Sequence, residues 1–178
     1  MNLENERIRL RRLRISDVDD IVENINHKDI AKWTLNIPHP YLKQDAINFI
    51  LFQRRRFRAG TFFVYGIELK STRKVIGLIG LSQTDRKNKK SMLGYWVGKK
   101  YWNNGIATEA VRIILNFGFQ ELKLNRISAK TFCDAKSSQR VLEKNGFKLE
   151  GVLRKSLFKR NRYHDENVYG LLKSEFKR

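Results

Sequence analysis

The sequence predicts an α+β fold, a mixed and mostly antiparallel twisted sheet of about seven strands with four helices. Apolar residues alternate with a period of two in residues 61–69 and 74–84, and these two stretches are separated by a short polar turn. Met92–Val97 forms a third stretch of strand type, and a long helical pattern then leads to a strand over Arg126–Cys133. Because a helix connects these last two strands, they pair in parallel, whereas the three earlier strands form antiparallel pairs.

The first part of the chain predicts one edge strand and two helices. Residues 7–13 alternate imperfectly and suit an edge strand. A helix follows through Val18–Ile25, and the loop Pro38–Pro40 separates it from a second helix that ends at Gly60. Two helices directly after the first strand are expected to cover one side of the sheet.

The last part of the chain predicts one short helix and two strands. The helix spans Ser138–Asn145 and ends at Gly146. The strands run over Phe147–Phe158 and Tyr163–Leu172.

The composition is that of one globular domain over residues 1–178. Apolar residues make up 41% of the chain, which is enough for one core without disulfides, and Cys133 is the single cysteine. No apolar run reaches about 18 residues and the N-terminus lacks a signal-peptide profile, so we expect a cytoplasmic protein with no membrane contact. The three histidines lack the spacing of metal ligands, and no metal site is predicted.

The formal net charge of +19 is far from the usual balance. A basic body attracts polyanions, so the surface could lie close to RNA or the ribosome. The other interpretation is a solvated surface that keeps the protein soluble. Composition leaves both open, and it leaves open whether the protein is a monomer or a homodimer.

The strongest local pattern is the junction between the strand Met92–Val97 and the long helix. Small residues at Gly105 and Ala107 allow a ligand to approach the main chain, and the first N–H groups of a helix have no internal partner. Such a turn can hold a phosphate on backbone N–H groups. An ordinary turn between a strand and a helix would show the same residues, so spacing alone does not decide between them.

Three ordered segments resemble the GNAT superfamily of N-acetyltransferases, in particular its RimJ/RimL-like branch. They are GYWVGKKYWNNGIATEAV (residues 94–111), SSQRVLEKNGFKLEGVLR (137–154) and NRYHDENVYGLL (161–172). The resemblance covers nearly the whole chain and implies the GNAT fold, acetyl-CoA as the acetyl donor, and direct attack of an amine on the thioester.

The resemblance also implies where acetyl-CoA is held. The pyrophosphate loop of the family corresponds to residues 102–107 here, with an aromatic residue in the first place. The end of the preceding strand would pair with the pantetheine arm, and Ala135 stands where the family commonly has an asparagine. The implied acetyl-CoA-binding residues are Trp96, Val97, Gly98, Trp102, Asn103, Asn104, Gly105, Ile106, Ala107, Thr108, Ala135, Ser138 and Lys144.

The catalytic residues are less clearly implied. Leu142 stands where many members have a tyrosine that acts as general acid. Ser138 matches the serine that RimL-like enzymes place near the departing sulfur, and it could donate to the thiolate or only cap a helix. For the general base, Glu109 and Asp165 are the first candidates, followed by His164 and Glu68.

The expected acceptor is a protein N-terminal α-amine, by resemblance to enzymes that modify ribosomal proteins. Deprotonating a lysine at pH 7 costs about 4.6 kcal/mol, whereas an α-amine costs about 1 kcal/mol, so an α-amine needs no strong base. One alternative is acetylation of a polyamine or an aminoglycoside, which a cleft lined by Glu68, Glu109 and Asp165 would favour. Another is a non-catalytic module that binds RNA or the ribosome and retains CoA.

Overall fold

The computed structural model describes residues 3–177. Seven strands form one sheet in the order β1-β2-β3-β4-β5-β7-β6. The strands are β1 (Ile8–Arg11), β2 (Phe63–Leu69), β3 (Lys74–Asp85), β4 (Lys90–Val97), β5 (Arg126–Phe132), β6 (Lys148–Lys159) and β7 (Arg162–Leu172). β4 and β5 pair in parallel and every other neighbouring pair is antiparallel, which confirms the predicted mixed sheet.

The helices are α1 (Val18–Ile25), α2 (Lys28–Trp33), α3 (Lys43–Arg58), α4 (Ile106–Gln120) and α5 (Lys136–Lys144). Four of them have eight or more residues, and these correspond to the four predicted helices. The sequence did not predict α2, which has six residues and is too short for a helical period to be recognised. None of the helices within residues 3–177 is long and apolar enough to cross a bilayer.

The two faces of the sheet pack against different helices. On one face, α4 packs through Ala110, Ile114 and Leu115 against inward side chains of the strands, such as Ile127 and Ala129. On the other face, α1 and α3 pack over β3 through a second cluster that includes Ile21, Ile50, Val75 and Leu78. We call these the α4 face and the α1 face of the sheet.

Glycines on β3 allow it to lie very close to its neighbours. A Cβ at Gly77 would come within 2.4 Å of the carbonyl oxygen of Trp96 on β4, and one at Gly80 within 2.6 Å of the carbonyl oxygen of Phe63 on β2. A side chain at either position would force the backbones apart. Gly77 therefore allows a close approach of β4, on which the candidate site is built, and Gly80 does the same for β2.

Candidate active site

The loop before α4 presents backbone N–H groups that have no acceptor. Within residues 3–177, the N–H groups of residues 103–108 donate no hydrogen bond, and no side chain caps α4. Asn103 and Gly105 adopt left-handed backbone with φ of 62° and 78°. This conformation turns the chain so that successive N–H groups converge at the positive end of the helix. The loop fits a diphosphate, as the resemblance implies.

An ion pair between Arg7 and Glu109 stabilises this loop. The Arg7 guanidinium donates from Nη1 to the carbonyl oxygen of Asn104 at 3.0 Å and to Glu109 Oε1 at 2.6 Å. Asn5 Nδ2 donates to the other carboxylate oxygen of Glu109 at 2.9 Å. Glu109, a candidate base in the sequence, therefore has both oxygens occupied and holds the loop in place.

A slot opens between β4 and β5. The two strands pair only from Lys90/Arg126 to Leu93/Ala129, and beyond this point they separate. The second half of β4 therefore has no strand partner on its β5 side. An extended chain such as a pantetheine arm can occupy a gap of this kind by pairing with the free strand edge.

The direction of the backbone groups on β4 follows from the ladder with β3. The Gly98 N–H donates to the Ile76 carbonyl at 2.8 Å, and directions alternate along an antiparallel pair. The backbone groups of Trp96 thus point to β3, whereas those of Tyr95 and Val97 point into the slot. Of the three predicted contacts, Val97 is the one whose N–H is directed into the slot, and its carbonyl accepts from Trp102 Nε1 at 2.6 Å.

A pair of hydroxyls joins β4 to α5. The oxygen of Tyr95 lies 2.9 Å from Ser138 Oγ, and the Tyr95 hydroxyl also donates to the Ser138 carbonyl at 3.3 Å. Ser138 is the third residue of α5 and its hydroxyl binds Tyr95, so the interpretation of Ser138 as a helix cap is wrong. Burial raises the pKa of Tyr95 to about 12, which keeps the phenol protonated. Together, Tyr95 and Ser138 can supply a proton to a departing thiolate.

Sequence reasoning missed Tyr95 because it looked for a tyrosine on α5. The position there is Leu142, which is fully buried in the core on the α4 face. Tyr95 instead reaches Ser138 from β4, across the slot. The available signal was a tyrosine near the end of the strand that leads into the glycine-containing loop.

One buried polar atom without a partner in the described part of the chain lies near the slot, on the α4 face of the sheet. We call the point where β4 and β5 stop pairing, at Leu93 and Ala129, the vertex of the slot. Thr131 lies on β5 beyond this vertex, and strand alternation places it on the α4 face with Ala129. Its hydroxyl oxygen is buried and has no hydrogen-bond partner among the described residues. Buried polar groups normally have partners, so this unpaired oxygen is an exception within residues 3–177. Thr131 was not singled out in the sequence.

Asn145 connects the end of α5 to the first turn of α4. Its Nδ2 donates to the carbonyl oxygen of Thr108 at 3.3 Å and to that of Val141 at 2.9 Å. Lys144 is exposed at this end of α5, close to the first turn of α4. Ala135 is 4% exposed and offers only its backbone to a ligand.

The other candidate bases lie apart from one another. Glu68 on β2 is paired with Arg11 and lies 3.7 Å from Arg9, and β3 separates it from the slot. Asp165 accepts from the Lys155 N–H at 2.8 Å. The three carboxylates Glu68, Glu109 and Asp165 do not line a common cleft.

The arrangement combines a loop of free backbone N–H groups, an adjoining slot and a pair of hydroxyls, and it is compatible with an acyltransferase that uses a thioester donor. Comparison with known proteins leads to the same class of enzyme. The family model described as Acetyltransferase (GNAT) domain matches residues 7–148, and the chain belongs to this family. It is an N-acetyltransferase of the RimJ/RimL-like branch.

Relatives and solved structures extend over much of the chain. The Uncharacterized N-acetyltransferase YoaA of Bacillus subtilis is 30% identical and covers 96% of each chain. The Ribosomal-protein-serine acetyltransferase of Escherichia coli is 31% identical over 96 residues, 54% of each chain. The fold matches that of RimL, a ribosomal L7/L12 alpha-N-protein acetyltransferase in complex with coenzyme A, with a TM-score of 0.88 at 19% identity over 97% of this chain and 98% of that one.

Proposed function

We propose that the protein transfers the acetyl group of acetyl-CoA to the α-amine of a protein N-terminus, by direct attack and without a covalent enzyme intermediate. The observation that carries the proposal is the run of N–H groups without acceptors at residues 103–108, next to the slot between β4 and β5. The loop suits the diphosphate of CoA and the slot suits its pantetheine arm. Acetyl-CoA supplies the activated acyl group.

The residues of the chain have separate tasks in this reaction. The loop N–H groups bind the diphosphate, with charge-assisted hydrogen bonds of about 1.5–3 kcal/mol each. The Val97 N–H points into the slot, where it can polarise the thioester carbonyl; in other enzymes one such donor lowers the barrier by about 2.7–4 kcal/mol. Ser138 donates a proton to the departing sulfur, and Tyr95 orients Ser138 and can replace its proton.

An α-amine acceptor is supported by chemistry and by the relatives. It needs about 1 kcal/mol to become neutral at pH 7, compared with about 4.6 kcal/mol for a lysine side chain. One relative, the Ribosomal-protein-serine acetyltransferase of Escherichia coli, has a ribosomal protein as its acceptor. We place the enzyme in the cytoplasm as a single domain, and the basic chain, with its charge of +19, suits an acceptor located near ribosomal RNA.

Acetylation of a cationic small molecule is less well supported. A cleft lined by Glu68, Glu109 and Asp165 would have favoured this alternative, but each of these carboxylates is engaged by a different group. A polyamine would also be repelled by the net positive charge of the protein.

A direct test is the release of CoA from acetyl-CoA with a panel of acceptors. The panel contains peptides with free N-termini, the same peptides with blocked N-termini and one lysine, a polyamine and an aminoglycoside. We expect release with the free N-termini and little with the other classes. Release with only the polyamine or the aminoglycoside would overturn the proposed acceptor, and no release with any amine would overturn acetyl transfer altogether.

A further inference from the structure

A buried carboxylate lies beside the vertex of the slot on the α1 face. Lys130 is the first residue of β5 beyond its last pair with β4. Strand alternation directs its side chain away from Ala129 and hence away from α4. Lys130 Nζ donates to Glu166 Oε2 at 2.8 Å. Glu166 of β7 is therefore within the reach of one side chain from the point where β4 and β5 separate.

The two oxygens of Glu166 have different surroundings. The residue is 8% exposed, and Oε2 accepts from Lys130 Nζ and from Ser156 Oγ at 3.2 Å. Oε1 makes no hydrogen bond to any residue within 3–177. Lys130 and Ser156 thus fix the carboxylate by one oxygen, and the other oxygen is free to accept from a ligand.

An open space lies on the same face of the sheet, at the β4 side of the slot. Gly94 is the first residue of β4 beyond the vertex, and it is exposed. A Cβ added to Gly94 would meet no atom within 4 Å. The side-chain positions of Met92, Gly94 and Trp96 lie on the same face of β4. Because Trp96 packs against the cluster under α1 and α3, the space at Gly94 opens on the α1 face. An amine could approach the slot there, on the side opposite to Tyr95 and Ser138.

The earlier candidate bases do not share this position. Glu109 supports the loop, Glu68 on β2 has both β3 and β4 between it and the slot, and Asp165 accepts a backbone N–H on the β6–β7 hairpin. His164 packs edge-on against Phe132 with ring centroids 5.4 Å apart, and its Nε2 lies 3.3 Å from the Lys159 carbonyl oxygen. Glu166 combines burial and a free oxygen with a position one strand from the slot, on β7 next to β5.

We infer that Glu166 is the catalytic residue that binds the acceptor ammonium through Oε1 and takes its proton, an inference that rests on the proposed function. One proton moves from the ammonium to Glu166, and the neutral amine attacks the thioester carbonyl. The N–C bond forms and the C–S bond breaks. The nitrogen loses a second proton to solvent, and the departing thiolate takes one from Ser138, which solvent restores through Tyr95. Glu166 then releases its proton to solvent, and the products are the amide, the CoA thiol and one proton.

The test compares Glu166→Gln with the wild type and with Glu150→Gln, which makes the same change on β6 in a carboxylate that pairs with Arg126. At pH 7 we expect kcat/KM for a peptide acceptor to fall about 100-fold in Glu166→Gln and to stay unchanged in Glu150→Gln. Affinity for acetyl-CoA should be the same in all three proteins.

The pH profile of kcat separates proton removal from a structural role. In the wild type kcat should change little between pH 6 and 8, since Glu166 deprotonates the bound ammonium. In Glu166→Gln, kcat should rise about tenfold per pH unit toward the α-amine pKa of about 8. If the wild type and Glu166→Gln had the same pH profile of kcat, and kcat fell less than threefold in the variant, the inference would be overturned.

A second variant keeps the test informative if Glu166→Gln does not fold. Gly94→Val fills the open space, and Gly151→Val is the matched control because a Cβ at Gly151 also meets no atom within 4 Å. We expect Gly94→Val to raise the KM of the peptide by at least tenfold with unchanged acetyl-CoA affinity. An unchanged peptide KM would place the acceptor elsewhere and overturn the inference. Failure of the wild type to turn over any amine would instead refute the proposed function.

Discussion

The Tyr95 oxygen lies 2.9 Å from Ser138 Oγ, and this contact joins β4 to α5 beside the slot between β4 and β5. Burial raises the pKa of Tyr95 to about 12, so the phenol remains a donor throughout the neutral range. The Ser138 hydroxyl is thus already oriented to donate to a departing thiolate in the slot, and the Tyr95 hydroxyl is hydrogen-bonded to it.

Ser138→Ala should lower kcat by at least tenfold and leave acetyl-CoA affinity unchanged, because the serine acts on the leaving group. Tyr95→Phe should give a smaller loss, since the serine hydroxyl remains. The double variant should be no slower than Ser138→Ala, because both hydroxyls act in one chain. Steady-state kinetics of CoA release measures all three. A loss of less than twofold in Ser138→Ala would leave Ser138 with a structural role only.

Gly105→Glu should abolish acetyl-CoA binding while the protein stays folded. The left-handed φ of 78° costs a non-glycine residue about 1 kcal/mol, and the new carboxylate would repel the diphosphate. Gly151→Glu is the matched control, because it adds the same charge at an open position on β6. Titration calorimetry with acetyl-CoA, together with circular dichroism, checks both variants. Equal affinities would refute the assignment of the loop.

Glu109→Gln should weaken acetyl-CoA binding about three- to tenfold with little change in kcat. The change removes the ion pair with Arg7, which also holds the Asn104 carbonyl, so the loop loses its support. Separate measurement of the acetyl-CoA Kd and of kcat checks this. A large loss in kcat at unchanged Kd would instead identify Glu109 as the base.

The protein should lose stability between pH 10 and pH 12. The pKa of Tyr95 is about 12 when folded and about 10 when unfolded, so the unfolded state releases this proton first as the pH rises. The stabilisation is complete below pH 10 and declines through pH 12, by about 1.4 kcal/mol per pH unit for each such tyrosine. Burial raises the pKa of Tyr41 and Tyr65 to about 12 in the same way.

Denaturant unfolding of the wild type and of Tyr95→Phe at several pH values measures this decline. The variant should have a shallower slope, since it lacks one of the three tyrosines. The same slope in both proteins would show that Tyr95 is not buried as described.

Much of the fold could be predicted from the sequence, because the periodicity of apolar residues indicates each helix and strand and the type of connection determines how neighbouring strands pair. The parallel pairing of β4 with β5 follows from the helix between them, and the antiparallel hairpins follow from short polar turns. The loop at Gly105 was recognisable because small residues and an uncapped helix start are local properties. Helix α2 was missed because six residues show no clear period.

The site residues that were missed come together only through the register of distant elements. Tyr95 and Ser138 are 43 positions apart, and Lys130 and Glu166 are 36 apart. No local pattern shows that a strand residue reaches a helix across a slot, or that one oxygen of a carboxylate remains free. Glu166 also stands next to Asp165 in sequence, and only strand alternation places the two on opposite faces.

The central claim is that the N–H groups of residues 103–108 bind the diphosphate of acetyl-CoA, and amide NMR of the wild-type protein tests it most directly. On addition of acetyl-CoA, we expect the amide resonances of these residues to shift strongly and their hydrogen exchange to slow, while addition of acetyl-pantetheine, which lacks the diphosphate, leaves them nearly unchanged. If acetyl-CoA binds and these amide resonances do not move, or if acetyl-pantetheine moves them equally, the diphosphate is held elsewhere and the account is contradicted.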